Sequence, residues 1–300
     1  MQVVREIINM DLANEMDCQA MMEKMSFHVA KLLDRVCTEA GLSCPGMGEL
    51  KLQRTKLLEK ELDVVACVSS TPFNRPPHNQ DTLQRILQHL RTLEETRDFH
   101  AKLRVCQSEL KLDTSYSLET FAYGTTPFST WIHIFSHPHM INCVAKIREC
   151  GNQEACTIFG SSTGSLVFFT SLLCGIPVRG VEILPYLFSI ATSTQSLFCV
   201  DSVEFLCRDM LDIDISQTQL LVLTSQCWED ELLAAVVEKL RNELPHGAIV
   251  LDYKPSLQAV ADLFRVVETL TAPVSWNPSQ CFYLFEKLAP NLKMNCLNQK

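Results

Sequence analysis

The chain lacks the excess of positive charge that a broad nucleic-acid-binding surface needs. Its 300 residues carry 26 basic and 35 acidic side chains, which gives a formal net charge of −9. A protein that binds phosphate backbones without sequence preference needs an excess of lysine and arginine. The composition therefore argues against broad nucleic-acid contact, although it leaves room for a local basic patch.

The sequence also lacks the patterns of export and of membrane insertion. The stretch MQVVREIINMDLANEMD contains acids and no long apolar core, unlike a secretory signal. The strongest apolar run, 165–176, is shorter than the roughly 20 residues that a membrane-spanning helix needs. We therefore expect a soluble intracellular protein, cytoplasmic or nuclear, with no membrane partner.

Cysteine pairs at metal-ligand spacing are missing as well. No two of the 14 cysteines have the two-residue separation of zinc knuckles, and several lie in apolar runs, such as Cys156, Cys174 and Cys199. Reduced thiols in such runs behave as small hydrophobic side chains, which favours a reducing compartment. The three histidines of WIHIFSHPHM have no carboxylate or cysteine at matching spacing, so we predict solvated side chains and no metal site.

Apolar residues at helical spacing dominate the first third of the chain. They recur over 16–40 and 50–68, and again after the proline-rich break SSTPFNRPPHNQD. Asp81 is predicted to cap the amphipathic helix that follows this break. We predict an α-helical N-terminal region over 1–112. It is either a layer that packs on the next domain or a module that binds a protein partner or covers the substrate.

From about Cys156 the pattern changes to apolar strands that alternate with helices. Strands are predicted at ACTIF, VRGVEIL, VEFLCRD, QLLVLTS and GAIVLDY, and helices at 165–174, 186–194 and 229–240. This alternation is typical of an α/β fold with a doubly wound, Rossmann-like parallel sheet. The runs FRVVETLTAPVSW and CFYLFEKL are separated only by NPSQ, which predicts a terminal antiparallel hairpin. We assign this domain to residues 113–300.

Small residues follow the first predicted strand, in TIFGSSTGS. Gly160 permits a sharp turn with positive φ, and Gly164 removes a side chain where the next helix approaches the strand. Ser161 and Ser162 leave room for a ligand near the unpaired N–H groups of a helix N-terminus. Taken alone, such a turn occurs as readily for packing as for ligand binding.

Acids end the next two strands. A carboxylate at Glu182 can accept hydrogen bonds from both hydroxyls of a ribose, or it can cap the following turn. Asp209 in CRDMLD can accept a hydrogen bond from an adenine amino group while Met210 covers the ring. The alternative for Asp209 is a solvated loop acid.

The fourth strand ends in LTSQCWEDE, at the edge of the sheet where α/β proteins bind their ligands. Ser225 and Gln226 are candidates for orienting a nucleophile, and Trp228 is a candidate pocket wall. Alternatively, Ser225 and Glu229 cap the helix that follows.

In the order TIFGSSTGS, GVEILP, CRDMLD, LLVLTSQCW and GAIVLDYKP, the chain resembles the class I S-adenosylmethionine (AdoMet)-dependent methyltransferases. SLETFAYGTTPFSTW and APVSWNPSQCFYLFEKL are similar to segments of the non-SET histone-lysine methyltransferases, the disruptor-of-telomeric-silencing family. The resemblance covers roughly residues 115–290. It implies an AdoMet-dependent methyltransferase whose acceptor is a protein, with lysine as the first candidate, or a small molecule.

The resemblance also implies two groups of site residues. The cofactor-binding group comprises Tyr123, Gly124, Thr125, Gly160, Ser161, Ser162, Gly164, Glu182, Asp209 and Met210. The group for acceptor binding and catalysis comprises Ser225, Gln226, Ser275, Trp276 and Tyr283.

The chain departs from that family's pattern at several positions. The family has an acid where Thr125 and Ile158 stand, a glycine at Ser162, and a pair of asparagines at Ser225 and Gln226. These departures leave open a second hypothesis, a methyltransferase-like binding module that lacks catalysis. A third is a nicotinamide-dependent oxidoreductase, because a glycine turn and a following acid also suit a dinucleotide.

Overall fold

The computed structural model describes residues 77–152 and 154–289. The helices predicted over 16–40 and 50–68 lie outside the described residues. Within the described ranges, the helices are α1 (Pro77–Glu94), α2 (Arg97–Asp113), α3 (Phe128–Phe135), α4 (Pro138–Cys150), α5 (Ser165–Cys174), α6 (Pro185–Phe198) and α7 (Asp230–Glu243). The strands are β1 (Cys156–Phe159), β2 (Val178–Glu182), β3 (Val203–Cys207), β4 (Leu220–Leu223), β5 (Ile249–Asp252), β6 (Phe264–Val274) and β7 (Asn277–Lys287).

The strands form one sheet in the order β3-β2-β1-β4-β5-β7-β6. Strands β1 to β5 are parallel, whereas β7 runs antiparallel to both β5 and β6. Strands β1, β2, β4 and β5 are buried along their whole length, as expected for parallel strands covered on both faces. The predicted fold class, a doubly wound Rossmann-like sheet that ends in an antiparallel hairpin, is confirmed.

Helices α1 and α5 form successive layers over one face of the sheet. Every residue of α5 from Leu166 to Cys174 is buried, because α1 covers the side of α5 that faces away from the sheet. Leu83 and Leu87 of α1 belong to the same hydrophobic core as Ile158 of β1. The described part of the N-terminal helical region therefore packs onto the helices that cover the sheet. The boundary between residues 112 and 113 stays a prediction.

The predicted helix cap at Asp81 is wrong. Helix α1 begins at Pro77, so Asp81 lies inside it, and its carboxylate pairs with exposed Arg85 at 3.8 Å. Proline suits a first helical turn, where no N–H needs a partner. The cap occurs later, at Thr96, whose hydroxyl accepts a hydrogen bond from the N–H of Phe99 at 3.1 Å and starts α2.

Other local predictions differ from the structure in detail. The helix predicted over 186–194 extends from Pro185 to Phe198. Cys199 follows it with φ of 51° and is exposed, so it is not a buried thiol, whereas Cys156 and Cys174 are buried. Among the described residues, none of the helices combines the length and apolar character needed to cross a bilayer.

The histidines of WIHIFSHPHM lie on α3, on α4 and between these helices. His133 is exposed. His137 pairs with Glu268 at 3.1 Å, and its ring stacks on that of His139. In the described ranges, no three histidine, cysteine or acidic side chains are grouped closely enough to hold a metal ion.

Candidate functional site

A cleft of about 410 Å³ opens at the carboxyl edge of the parallel sheet. Its walls come from the turns after β1 to β5, from the turn between β6 and β7, and from residues 114–127, which we call the strap. The cleft includes the switch point between β1 and β4, where the strand order reverses and open α/β sheets bind ligands. The cleft lining includes Tyr116, Phe121, Tyr123, Gly124, Thr126, Gly160, Ser161, Ser162, Glu182, Arg208, Asp209, Met210, Thr224, Gln226, Cys227, Trp228, Tyr253 and Trp276.

The turn after β1 is held in one conformation by its neighbours. Gly160 has φ of 74°, and a Cβ there would collide with the hydroxyl of Thr224. The backbone N–H groups of Gly160 and Ser161 donate to the carbonyl of Val181 at 2.9 and 3.0 Å. The hydroxyl oxygens of Ser161 and Ser162 are buried and have no hydrogen-bond partner in the part of the chain that the structure describes. Unpaired buried hydroxyls in the lining of a cleft indicate places for polar ligand atoms.

Glu182 lies at the end of β2, in the floor of the cleft. One carboxylate oxygen accepts a hydrogen bond from the N–H of Ser162 at 2.7 Å, and the other from the N–H of Leu184 at 2.9 Å. Burial raises the pKa of Glu182, and these backbone donors oppose that rise. Each oxygen keeps a further lone pair, so the carboxylate can hold the turn and still accept hydrogen bonds from a diol.

Asp209 is not a solvated loop acid. One of its oxygens accepts a hydrogen bond from the N–H of Leu211 at 2.9 Å, and the other accepts one from the hydroxyl of Tyr116 in the strap. Burial, followed by this hydrogen bond, raises the pKa of Tyr116. Met210 lines the cleft beside Asp209, as the adenine hypothesis requires.

The segment between β4 and α7 also holds the strap in place. Glu229 makes no side-chain cap of α7, contrary to the alternative considered from sequence. Its carboxylate instead accepts a hydrogen bond from the N–H of Ser117 at 3.1 Å. The neighbouring Trp228 lines the cleft as predicted, and its carbonyl accepts a hydrogen bond from the ammonium of Lys254 at 3.1 Å.

The opposite end of the cleft is aromatic. The indole of Trp276 packs on the backbone of Gly124, where a Cβ would approach the ring to 2.5 Å. The rings of Trp276 and Tyr253 have centroids 6.1 Å apart, and the Tyr253 hydroxyl shares a 2.7 Å hydrogen bond with Thr126. Two polar atoms here are buried without partners, the indole nitrogen of Trp276 and the amide oxygen of Gln226.

Five of the predicted site residues lie outside the cleft lining. Gly164, with φ of 84°, leaves space for the ring of Phe205, which is the packing role considered for it. Ser225 is buried, and its hydroxyl donates to Asp252 below the cleft instead of pointing to a ligand. The other three are Thr125, Ser275 and Tyr283.

Thr125 and Tyr283 make their contacts outside the cleft lining. Thr125 exchanges backbone and side-chain hydrogen bonds with Ser275 in the turn between β6 and β7, at 2.9 and 3.0 Å. The strand register places Tyr283 opposite Asp252 in the body of the sheet, where its ring stacks on Phe285. Tyr283 packs with the core on that side of the sheet, whereas the preceding residue of the strand, Phe282, contacts Tyr253 of the cleft.

Sequence reasoning missed several residues of the cleft. The most numerous belong to the strap, including Tyr116, Phe121 and Thr126, and others are Arg208, Thr224 and Tyr253. The strap has no periodic pattern, so its aromatic density in SYSLETFAY was the one signal available. Asp252 was also missed. Burial raises its pKa to about 6, and one of its oxygens is buried without a partner.

No protein-family model matches the chain, and no curated protein matches it in sequence. Solved structures with limited similarity include an RNA methyltransferase from Salinibacter ruber in complex with S-adenosyl-L-homocysteine. It is 18% identical, with a TM-score of 0.36, over 51% of this chain and 95% of that one.

Two further solved structures are similar at the same level. An rRNA methylase from Streptococcus thermophilus is 12% identical over 51% of this chain and 98% of that one, with a TM-score of 0.36. Magnesium protoporphyrin IX methyltransferase from Synechocystis PCC 6803, with bound SAM, is 14% identical over 56% of this chain and 88% of that one, with a TM-score of 0.38. At these values the likeness assigns neither a family nor an activity to this chain.

Proposed function

We propose that the chain is an AdoMet-dependent methyltransferase whose cofactor binds in the cleft at the carboxyl edge of the sheet. The observation that carries this proposal is the arrangement around Gly160. A tight turn presents two buried, unpaired serine hydroxyls beside the buried carboxylate of Glu182. This combination fits the ribose and the polar amino-acid part of AdoMet better than it fits an apolar ligand.

The remaining parts of the cleft fit the other groups of AdoMet. Asp209 and Met210 lie where an adenine would extend from a ribose on Glu182, and Phe121 of the strap lines the same cleft. Tyr123 and Gly124 lie in the opposite wall, on the side proposed for the amino-acid end. The cleft volume of about 410 Å³ is in the range of small-molecule sites.

Methyl transfer depends more on the alignment of the acceptor with the methyl group than on acid–base catalysis. When bound, AdoMet supplies a methyl group on a sulfonium, which is already a strong electrophile. The task of the chain is then to align the acceptor and exclude water, effects that can contribute roughly 7–11 kcal/mol. The strap and the aromatic pair Tyr253 and Trp276 close the cleft around that position.

We propose a nitrogen acceptor, with a protein lysine as the first candidate that the resemblance implies. The buried amide oxygen of Gln226 has no partner and can accept a hydrogen bond from an amine N–H. Such a bond would direct the nitrogen lone pair of the acceptor. The indole of Trp276 would form the adjoining wall.

A calorimetric titration of the full chain with AdoMet, S-adenosylhomocysteine and NAD tests the cofactor assignment. We expect saturable heat with the first two ligands and none with NAD. Binding of NAD alone would overturn the proposal in favour of the oxidoreductase hypothesis. Transfer of labelled methyl groups to lysine-containing proteins and to small amines would then distinguish the acceptor classes.

One observation favours a second candidate, a methyltransferase-like module that binds a protein partner without catalysis. Ile158, at a position where the resembled family has an acid, is completely buried in the hydrophobic core. It offers no polar group to the cleft. Binding of AdoMet without methyl transfer to any acceptor, together with a partner captured through the N-terminal helices, would support this candidate.

A further inference from the structure

The last turn of α1 carries a pair of buried charges. The guanidinium of Arg91 lies 3.1 Å from the carboxylate of Glu94, and the two side chains are only 16% and 6% exposed. The same guanidinium nitrogen donates to the hydroxyl of Thr125 in the strap at 3.1 Å. The pair therefore links α1 to the strap directly behind two residues that line the cleft, Tyr123 and Gly124.

Glu94 is next to the Tyr123 side chain. Burial, and after it the negative charge of Glu94, holds the pKa of Tyr123 well above its usual value. The Tyr123 hydroxyl oxygen is itself buried, beside the side chains of Glu94 and Thr163. A negative charge and a buried tyrosine hydroxyl thus lie together behind one wall of the cleft.

The strap is held from its other side by the β6–β7 turn. The N–H of Thr125 donates to the Ser275 hydroxyl at 2.9 Å, and the N–H of Ser275 donates to the Thr125 carbonyl at 3.0 Å. Trp276 follows Ser275 and packs on Gly124. The position of 123–125 therefore depends on α1 and on the hairpin at the same time.

The placement of Glu94 is unfavourable for stability. It is the last residue of α1, where the helix dipole is negative and a carboxylate is disfavoured. It is also buried, and an ion pair taken out of water seldom stabilises a fold more than apolar residues of the same size would. A carboxylate this close to Tyr123 of the cleft lining can act through its field on a charged ligand in the cleft.

We propose that Arg91 and Glu94 are positioning residues for the positively charged, amino-acid end of the cofactor. This inference rests on the proposed function. Glu94 supplies negative potential through the wall formed by Tyr123, which favours the sulfonium and ammonium groups. Arg91 keeps Glu94 in place and fixes Thr125, so that the backbone of 123–125 has one position.

The test compares three ligands that differ in charge and length. AdoMet has the sulfonium and the amino-acid end, S-adenosylhomocysteine lacks the sulfonium charge, and 5′-methylthioadenosine lacks the amino-acid end as well. For Glu94→Gln we expect about a tenfold loss of affinity for AdoMet, a smaller loss for S-adenosylhomocysteine, and less than a twofold change for methylthioadenosine. Titration calorimetry measures all three.

Two further variants control for folding and for charge. Asp81→Asn removes an exposed carboxylate from the same helix, and we expect no change with any ligand. Thr125→Val removes the contact with Arg91 without altering α1, and we expect a smaller loss with the same order of ligands. It keeps the inference testable if Glu94→Gln does not fold.

The outcomes separate this inference from the proposed function. Equal losses for all three ligands in Glu94→Gln and in Thr125→Val, or no loss in either, would overturn the inference alone. Failure of the unaltered chain to bind any of the three adenosine ligands would contradict both proposals.

Discussion

The two ends of the cleft differ in which polar groups they present to a ligand. At the end formed by β1, β2 and β3, Glu182 is held by two backbone donors and Asp209 by Tyr116 and a backbone N–H. At the end formed by β4, β5 and the hairpin, the side chains of Gln226 and Trp276 each bury a polar atom without a partner. The first end has preorganised acids beside the unpaired hydroxyls of Ser161 and Ser162, whereas the unpaired groups of the second end are an amide oxygen and an indole N–H that a bound acceptor would satisfy.

This difference matters energetically. A buried, unsatisfied polar group costs about 1–3 kcal/mol, which a ligand regains when it supplies the missing partner. Preorganised carboxylates cost nothing further when the ligand arrives. We therefore expect substitutions at the first end to change cofactor affinity and substitutions at the second end to change turnover.

The largest expected effect is at Glu182. Glu182→Ala removes two hydrogen bonds between a carboxylate and the ribose, and each such bond contributes roughly 1.5–3 kcal/mol. We expect the affinity for AdoMet to fall roughly a thousandfold, measured by titration calorimetry.

Two further variants test whether the loss of AdoMet affinity in Glu182→Ala comes from the carboxylate at this position. Glu204→Ala removes an exposed acid from the neighbouring strand β3 and should leave AdoMet affinity unchanged. Glu182→Gln keeps the size of the side chain and should lose less than Glu182→Ala. Unchanged affinity in Glu182→Ala would remove the basis for assigning this end of the cleft to the cofactor.

The next largest effect is the change of folding stability with pH that we expect from Asp252, which lies below the second end of the cleft. Burial raises the pKa of Asp252 from 3.8 to about 6, so the folded protein holds a proton that the unfolded chain has released in that interval. Its contribution to stability is greatest below pH 4 and is lost as pH rises through about 6. The shift of about two pKa units corresponds to about 3 kcal/mol.

Asp252→Asn cannot ionise and should lack this dependence. We expect the free energy of unfolding of the unaltered chain, relative to that of the variant, to fall by about 3 kcal/mol between pH 4 and pH 7. Urea unfolding at several pH values measures it. The comparison with the variant cancels the contribution of Glu182, whose raised pKa acts in the same direction. Parallel pH profiles of the two proteins would show that Asp252 is already ionised at low pH.

A smaller effect is expected at Trp276. Trp276→Phe keeps an aromatic wall and removes the buried N–H that has no partner. We expect kcat to fall about fivefold while the Kd for AdoMet stays within twofold, because one hydrogen bond contributes about 1 kcal/mol. Methyl-transfer kinetics and calorimetry measure the two values. A fall in cofactor affinity with kcat unchanged would reverse the assignment of the two ends.

The smallest effect is expected at Tyr116. Tyr116→Phe removes the hydrogen bond between the strap and Asp209. We expect the free energy of unfolding to fall by about 1 kcal/mol and AdoMet affinity to fall about threefold. Val105→Ala, an exposed change on α2, is the matched control for thermal unfolding. A gain in affinity would mean that the Tyr116 hydroxyl competes with the ligand for Asp209.

Different parts of the cleft could be predicted to different extents. The first end comes from one stretch of chain, in which a glycine turn after one strand and an acid after the next are visible as motifs. The second end combines Gln226, Tyr253 and Trp276 with the strap, and of these Tyr253 was missed. Ser225, a candidate from its position after β4, lies outside the cleft lining, because a 3-10 turn directs its hydroxyl to Asp252.

The sequence by itself determined the order of strands and helices from Cys156 onward, the terminal hairpin, and the turn and acid near Gly160 and Glu182. These features depend on hydrophobic periodicity and on neighbours close along the chain. Only the tertiary structure decided that Arg91 contacts Thr125, that Trp276 covers Gly124, and which polar atoms remain unpaired. Such contacts join residues distant in sequence, and their partners are set by how helices and loops pack on the finished sheet.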